Sequence, residues 1–282
     1  MNIQWFPGHM TKAIRMMQDN LKLIDLVVEL VDARLPLSSR NPKVDELIGN
    51  KAHLLLLNKA DIADPSVTKQ WEDYFRSKGI ETATVSSTGG KSLNFVFDKC
   101  KKLLSEKIEK EKEKGIVNRS IKLMVCGVPN VGKSSFINKL SGKKSAITGD
   151  RPGVTKGKQW IRLNNNFELL DTPGILWPKF DDEEVGLRLG FTGAVKDEIL
   201  DVEELACHLL VFLRDNYPDS LTQRYKMTDF DSLEGYELLE LLGRKRGFVV
   251  SGGEIDTERA AHILLDEFRA AKLGCITLEK PQ

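Results

Sequence analysis

The stretch Ile121-Lys-Leu-Met-Val-Cys126-Gly127-Val-Pro-Asn130-Val131-Gly132-Lys133-Ser134-Ser135 decides the fold. Its first six residues are apolar enough for a buried strand, and residues 127–134 match GxxxxGK[ST] ahead of the helical pattern SFINKL. A strand, a glycine-rich turn and a helix in that order make a cradle for a polyanion. Glycines let backbone N–H groups turn inward around phosphates, and the helix presents its N-terminus. Lys133 reaches the outer phosphates, and the Ser134 hydroxyl ligates magnesium. Average composition yields such a match in about one chain of this length in a hundred, so the surrounding chain must support it.

Working outward, short apolar runs alternate with longer amphipathic stretches, the signature of an α/β fold. The runs at 23–31, 53–57, 81–85, 121–126, 160–163 and 167–170 predict about six strands, most of them apolar on both faces as a parallel sheet under helices requires. Residues 92–114 read as one long helix whose charged end EKIEKEKEKG is solvated, because both signs alternate there. After Pro178 the spacing turns helical, with candidate helices at 203–216, 236–243 and 257–273 and one short strand at 248–250. The expected organisation is a nucleotide domain over 1–178 and a mainly helical domain over 179–282.

Composition limits the function classes. With 41% hydrophobic residues the chain has material for real cores. No apolar run approaches the roughly 20 residues that span a bilayer, and MNIQWFPGHM lacks the parts of a signal peptide, so a cytoplasmic protein is expected. Cys100, Cys126, Cys207 and Cys275 form no CxxC pair, which leaves core packing as their expected role. Residues 1–180 hold 30 Lys and Arg against 19 Asp and Glu, whereas 181–282 hold 12 against 22. The first part suits a phosphate backbone and the second does not, apart from Arg244-Lys245-Arg246 beside Phe248, the candidate RNA contact. As a local feature that triplet reads first as a solvated turn.

Two further motifs fall at strand ends. Asp171-Thr-Pro-Gly174 follows the strand FELL, where an acidic residue holds magnesium through water and a glycine amide meets the γ-phosphate. Thr155 lies on the loop between, where it either completes the magnesium shell or serves as a turn threonine. Asn58-Lys59-Ala60-Asp61 follows the strand HLLLL. The Asp61 carboxylate accepts from guanine N1–H and the 2-amino group, donors that adenine lacks on that edge, and a buried Asp61 left unpaired would discriminate strongly. Asn58 supports the loop, the Lys59 stem lies over the ring, and Ser86-Ser87 closes the next strand where an amide meets the guanine carbonyl. An ATP-dependent kinase would share the glycine-rich loop but leaves Asn58 and Asp61 unexplained.

Together these stretches resemble the motifs of translation-factor-type GTPases in circularly permuted order, guanine motifs first and phosphate motifs last. With Asp32-Ala-Arg34-Leu-Pro36 and Arg40-Asn41 they resemble the ribosome biogenesis GTPase A family, from FPGHM through DTPG and more loosely into the helical tail. The resemblance implies a GTP site of Asn58, Lys59, Ala60, Asp61, Ser86, Ser87, Asn130, Val131, Gly132, Lys133, Ser134, Ser135 and Gly174. It implies magnesium held by Ser134, Thr155 and Asp171, and potassium as an extra cation from Asn130. It further implies action in late assembly of the large ribosomal subunit and contact with its RNA. A GTP-dependent switch with a non-ribosomal protein effector fits the nucleotide domain equally well.

Permutation has consequences of its own. The chain leaves DTPG for the tail, so the helix that would have followed must come from residues 12–21, and the tail is joined to the switch. Ile175 and Leu176 stand where related enzymes carry a water-orienting glutamine. His9, in a loop before the relocated helix, is the candidate replacement, both by position and by the resemblance. A site without a fixed glutamine or arginine finger turns over slowly until a partner completes it. His9→Ala is therefore predicted to keep GTP affinity and to lower hydrolysis; unchanged turnover at saturating GTP would remove His9 from the mechanism.

Overall fold

Leu26–Asp32 (β1) is buried at all seven positions, so it needs a strand on each edge and helices on both faces. The computed structural model describes residues 8–90, 92–117, 119–142, 159–163, 166–172 and 182–281, with the backbone alone for 8–14 and 159. Before β1 lies α1 (Gly8–Leu21); after it come α2 (Val44–Ile48), β2 (Ala52–Asn58), α3 (Pro65–Ser77), β3 (Glu81–Thr84), α4 (Asn94–Leu103) and α5 (Ser105–Glu113). The phosphate half follows as β4 (Ile121–Cys126), α6 (Lys133–Ser141), β5 (Gln159–Arg162) and β6 (Phe167–Asp171). All six predicted strands are present, ordered β3-β2-β1-β4-β6-β5, and every neighbouring pair is parallel except the edge pair β5–β6.

The register explains how a permuted chain still builds one sheet. β1 pairs with β4 from Leu26↔Leu123 to Glu29↔Cys126, so the two halves of the chain meet at the centre of the sheet. One cluster under the sheet joins Met17 and Leu21 of α1 to Val27, Val44, Ile48, Met124 and Leu170. The relocated helix is thereby fixed by apolar burial. A second cluster packs Trp71 and Phe75 of α3 against Val31, Leu55 and Leu57. Truncating a buried aromatic of that size costs about 3–5 kcal/mol, a large share of a domain's net stability. The polar ends of β1, β2, β4 and β6 therefore project from one edge, the carboxyl edge where open α/β sheets bind ligands.

The chain divides into two compact units, with breaks at Lys179/Phe180 and again at Ile276/Thr277. Thr277–Gln282 thus belongs with the sheet unit. The other unit contains α7 (Glu183–Phe191), α8 (Val202–Asn216), α9 (Pro218–Tyr225), α10 (Gly235–Arg246) and α11 (Thr257–Arg269). Asp201 and Asp256 cap α8 and α11 by accepting amides of Glu204 and Arg259 at 2.9 and 3.0 Å, which satisfies N–H groups a helix start leaves unpaired. α8 is the core of this unit, burying Leu205, Ala206, Leu209, Leu210 and Leu213. Gly235 permits its close crossing with α10, since a Cβ there would stand 2.8 Å from the Cys207 Cβ.

Several expectations are corrected. Residues 92–114 form two helices, because Leu104 turns into the core at the point where α4, which buries Val96, Phe97 and Cys100, gives way to α5, which buries nothing. Residues 248–250 contribute only an isolated bridge, Val249↔Ile255. Cys275 is exposed and does not serve core packing. α1 begins at Gly8, so the backbone of His9 lies in its first turn and not in a loop before it. The connection from DTPG to the tail lies outside the described residues.

Candidate functional site

The phosphate loop runs from β4 to the start of α6 in a conformation that glycine makes possible. Gly127 has φ 149° and passes so close to β1 that a Cβ would stand 2.4 Å from the Leu30 carbonyl oxygen. Gly132 has φ 94° and faces the Asn58 side chain. Asn130 adopts a left-handed φ of 56°, tolerable for asparagine. Val131 is buried, while Ser134 and Ser135 are half-buried in the first turn of α6. Lys133 is buried, and its ammonium donates to the carbonyls of Gly127 and Val128 at 3.2 and 3.0 Å. Burial pulls its pKa down to about 8 although Asp171 opposes the shift.

The base-reading end is held by Asn58, which is fully buried at the end of β2. Its Nδ2 donates to Val131 O at 2.7 Å, and its Oδ1 accepts from the amide and hydroxyl of Ser87 at 3.1 and 2.8 Å. Three segments far apart in sequence are joined by one side chain. The amide of Ser87 is thereby engaged by Asn58. Ala60 N donates to Val85 O at 3.2 Å, drawing the 3-10 turn Ala60–Ile62 to the end of β3. Asp61 is exposed, not buried as strong discrimination requires.

Lys59 has a left-handed φ of 61°, and its ammonium lies 3.0 Å from Asp32 Oδ2. Asp32 also takes a bidentate pair from Arg34, at 2.9 and 2.7 Å. Burial would raise the Asp32 carboxyl, but the two cations beside it hold it well below the usual carboxylate range. Lys139 of α6 donates to Ser86 O at 2.6 Å and also to Gly89 O, so the phosphate helix holds the loop after β3. The motif reading did not assign Asp32 and Lys139 these parts. The available signal is the register Asp32↔Asn58, which a sequence cannot reveal without the pairing.

The donor set fits magnesium on one observation. Asp171 Oδ1 is buried and lacks a hydrogen-bond partner among the described residues. Burial raises the pKa of this carboxyl, against the pull of Lys133 and the Thr172 amide. An orphaned buried carboxylate oxygen is costly unless a ligand meets it, and Ser134 supplies a hydroxyl from the neighbouring loop. Thr155 and Gly174 lie outside the described residues, as does the side chain of His9.

In the helical unit the basic triplet separates into two kinds of residue. Arg246 lies over the rings of Tyr225 and Phe248, 5.9 Å from each, and 3.4 Å from the buried Glu267, so it packs the unit together. All three are exposed, and Arg244 lies 3.4 Å from Glu240 one helical turn away.

A mostly parallel sheet with a GxxxxGKS loop after its central β4, an NKxD segment at the end of β2 with β1 between them, and the two in reversed chain order define a circularly permuted P-loop GTPase. Comparison with known proteins narrows this. Residues 122–245 match a family described as 50S ribosome-binding GTPase. Over 282 residues the chain is 49% identical to ribosome biogenesis GTPase A of Bacillus pumilus, covering 100% of both chains. It is 33% identical to that of Thermotoga maritima over 281 residues, covering 99% of this chain and 95% of the relative. The crystal structure of GNP-bound YlqF from T. maritima matches with a TM-score of 0.66 at 30% identity, covering 96% of this chain and 99% of that one. The chain belongs to the ribosome biogenesis GTPase A family.

The lowered Lys133 pKa has a measurable consequence. Between about 8 and the ordinary 10.5 the folded protein holds fewer protons than the unfolded chain, so the penalty for burying this ammonium is complete below pH 8 and fades as pH rises to 10.5. Bound phosphates stabilise the ammonium and reverse the shift. GDP binding near pH 8, where the nucleotide's own phosphates (second pKa about 6) are already ionised, is therefore expected to be accompanied by proton uptake. Calorimetry in buffers of different ionisation heat reads this uptake, and Lys133→Met should abolish it.

Proposed function

We propose that this chain binds and hydrolyses GTP as a factor in late maturation of the large ribosomal subunit. The observation that carries this is the full-length 49% identity to a relative named ribosome biogenesis GTPase A, joined to an Asn58 that holds the phosphate and guanine segments together. Magnesium, when bound between Ser134 and Asp171, with Thr155 completing its shell, supplies charge neutralisation for the departing phosphate. The chain's own residues do the rest. Lys133 leaves its loop carbonyls for the outer phosphates, amides of residues 130–135 and Gly174 orient them, and Asp61 reads the base while Lys59 covers it. His9 positions water in place of glutamine.

The intrinsic rate is slow, and the ribosomal subunit activates it. Off the ribosome the protein is a cytoplasmic monomer; no described helix is long and apolar enough to cross a membrane. Asn130 recruits potassium beside the phosphates, and a turnover rate indifferent to replacing potassium by sodium would count against that cation.

The ribosomal contact in the tail is made by Arg244, Lys245 and Arg246, the last of which also lies over Tyr225 and Phe248. With a non-hydrolysable GTP analogue the protein should co-sediment with the large subunit at moderate salt. Replacing Arg244 and Lys245 by alanine should weaken that binding and lower the slope of log affinity against log salt by roughly one per lost phosphate contact. Failure of the wild-type protein to co-sediment would favour a switch acting on a protein effector instead.

A further inference from the structure

The strap Thr277–Glu279 follows the helical unit in sequence and lies in the sheet unit, where it is buried along its length. Its contacts fall on segments that precede and follow residues 59–61 in sequence. On one side, Leu278 N donates to Arg34 O at 2.6 Å. The Glu279 carboxylate accepts the amides of Leu37 and Ser38, the latter at 3.0 Å, and the Ser38 hydroxyl. On the other side, Asp64 N donates to Thr277 Oγ1 at 3.0 Å, and Trp71 Nε1 donates to Glu279 O at 3.0 Å. Residues 59–61 lie between these two holds in sequence.

The first hold reaches the nucleotide side through a short chain of bonds. Residues 32–39 form a closed turn: Arg34 N donates to Asp32 Oδ1 at 3.1 Å, Ser39 N to Leu35 O at 2.9 Å, and Asp32 N to Ser39 Oγ at 2.9 Å. Glu279 binds the outer side of that turn, while its inner carboxylate, Asp32, holds the Lys59 ammonium. The second hold stands three residues beyond Asp61, at Asp64. That residue also caps α3 by accepting amides of Ser66 and Val67 at 2.8 and 3.3 Å.

We infer that Thr277 and Glu279 are positioning residues for guanine recognition, holding the 32–38 turn and Asp64 so that Lys59 and Asp61 stand where the base meets them. This rests on the assignment of Asn58–Asp61 as the base-reading segment. Amide donors converging on a buried carboxylate make the first hold strong, because charge-assisted hydrogen bonds exceed neutral ones and their loss leaves buried donors unpaired. Thr277 makes the second hold through one hydroxyl, which valine removes at nearly constant volume.

The test is binding of fluorescent GDP and IDP, with steady-state GTP turnover, in the full chain and counted against active sites. The variants are Glu279→Gln, Thr277→Val, Thr277→Ser and Asp61→Asn. Glu279→Gln and Thr277→Val are expected to weaken GDP binding by on the order of tenfold, the worth of one buried hydrogen bond. They should raise KM for GTP with kcat unchanged and shrink the preference for GDP over IDP, which lacks the 2-amino group read by Asp61. Thr277→Ser should restore all three. A strap that only stabilised the fold would lower the melting temperature and leave KM and the GDP:IDP ratio of the folded protein at wild-type values, and that result overturns the inference. If Glu279→Gln does not fold, the Thr277 pair decides alone. Asp61→Asn tests the underlying assignment separately: unchanged GDP affinity there removes the base-reading segment itself, whereas lost affinity there beside wild-type strap variants removes only the strap's role.

Discussion

Asn58 has no exposed surface, and its side-chain amide uses both ends, giving a hydrogen to Val131 O at 2.7 Å and receiving two from Ser87. Val131 lies in the GxxxxGKS loop and Ser87 follows β3, so one planar group sets the distance between that loop and the segments that follow β2 and β3. Gly132 is part of the same constraint, because a Cβ there would stand 2.4 Å from Asn58 Nδ2. A side chain fixed by three bonds cannot swing aside. The glycine therefore serves the clamp as well as the backbone turn.

Circular permutation leaves this junction untouched, and the sheet shows why. The two chain halves meet through β1 and β4, parallel and in register at the buried centre, and the connection that permutation relocates lies elsewhere. What permutation changes is how the helix beside β1 is attached. α1 is held by Met17 and Leu21 in a cluster with Val27, Met124 and Leu170. Hydrophobic burial is indifferent to chain order, which is the physical reason a cyclic shift preserves the fold.

Buried charge marks where the site departs from stability alone. Asp32, Lys133 and Asp171 are all buried at the carboxyl edge of the sheet. Asp32 is neutralised within the protein by Arg34 and Lys59. Lys133 has carbonyl partners but a depressed pKa, and Asp171 keeps an oxygen without a partner among the described residues. The first is structural; the other two have an environment that a phosphate and a cation would improve, as expected of groups arranged for a ligand. In the helical unit all three residues of the basic triplet are exposed, and Arg246 alone also lies against Tyr225, Phe248 and Glu267.

Much of this was present in the linear chain. Spacing and apolar runs located all six strands, and the order of GVPNVGKS, DTPG and NKAD implied the permutation, because phosphate cradles and base readers depend on short, contiguous backbone geometry. The helices most periodic in sequence, at 202–216 and 257–269, were placed to within a few residues, while α7 and α9 were not, being short and weakly patterned. Sequence could not show that residues 92–114 break at Leu104, that Asp61 is exposed, or that Ser87 is committed to Asn58. Each depends on what packs opposite. Nor could it join Asp32 to Lys59 or bring Thr277–Glu279 onto the 32–38 turn, contacts spanning about 25 and 240 residues. Local geometry is written in neighbouring residues, whereas which loops share a hydrogen bond is settled only when the sheet brings strand ends to one edge. In this protein, sequence determined the chemistry of the nucleotide site, and tertiary structure decided which residues hold it in place.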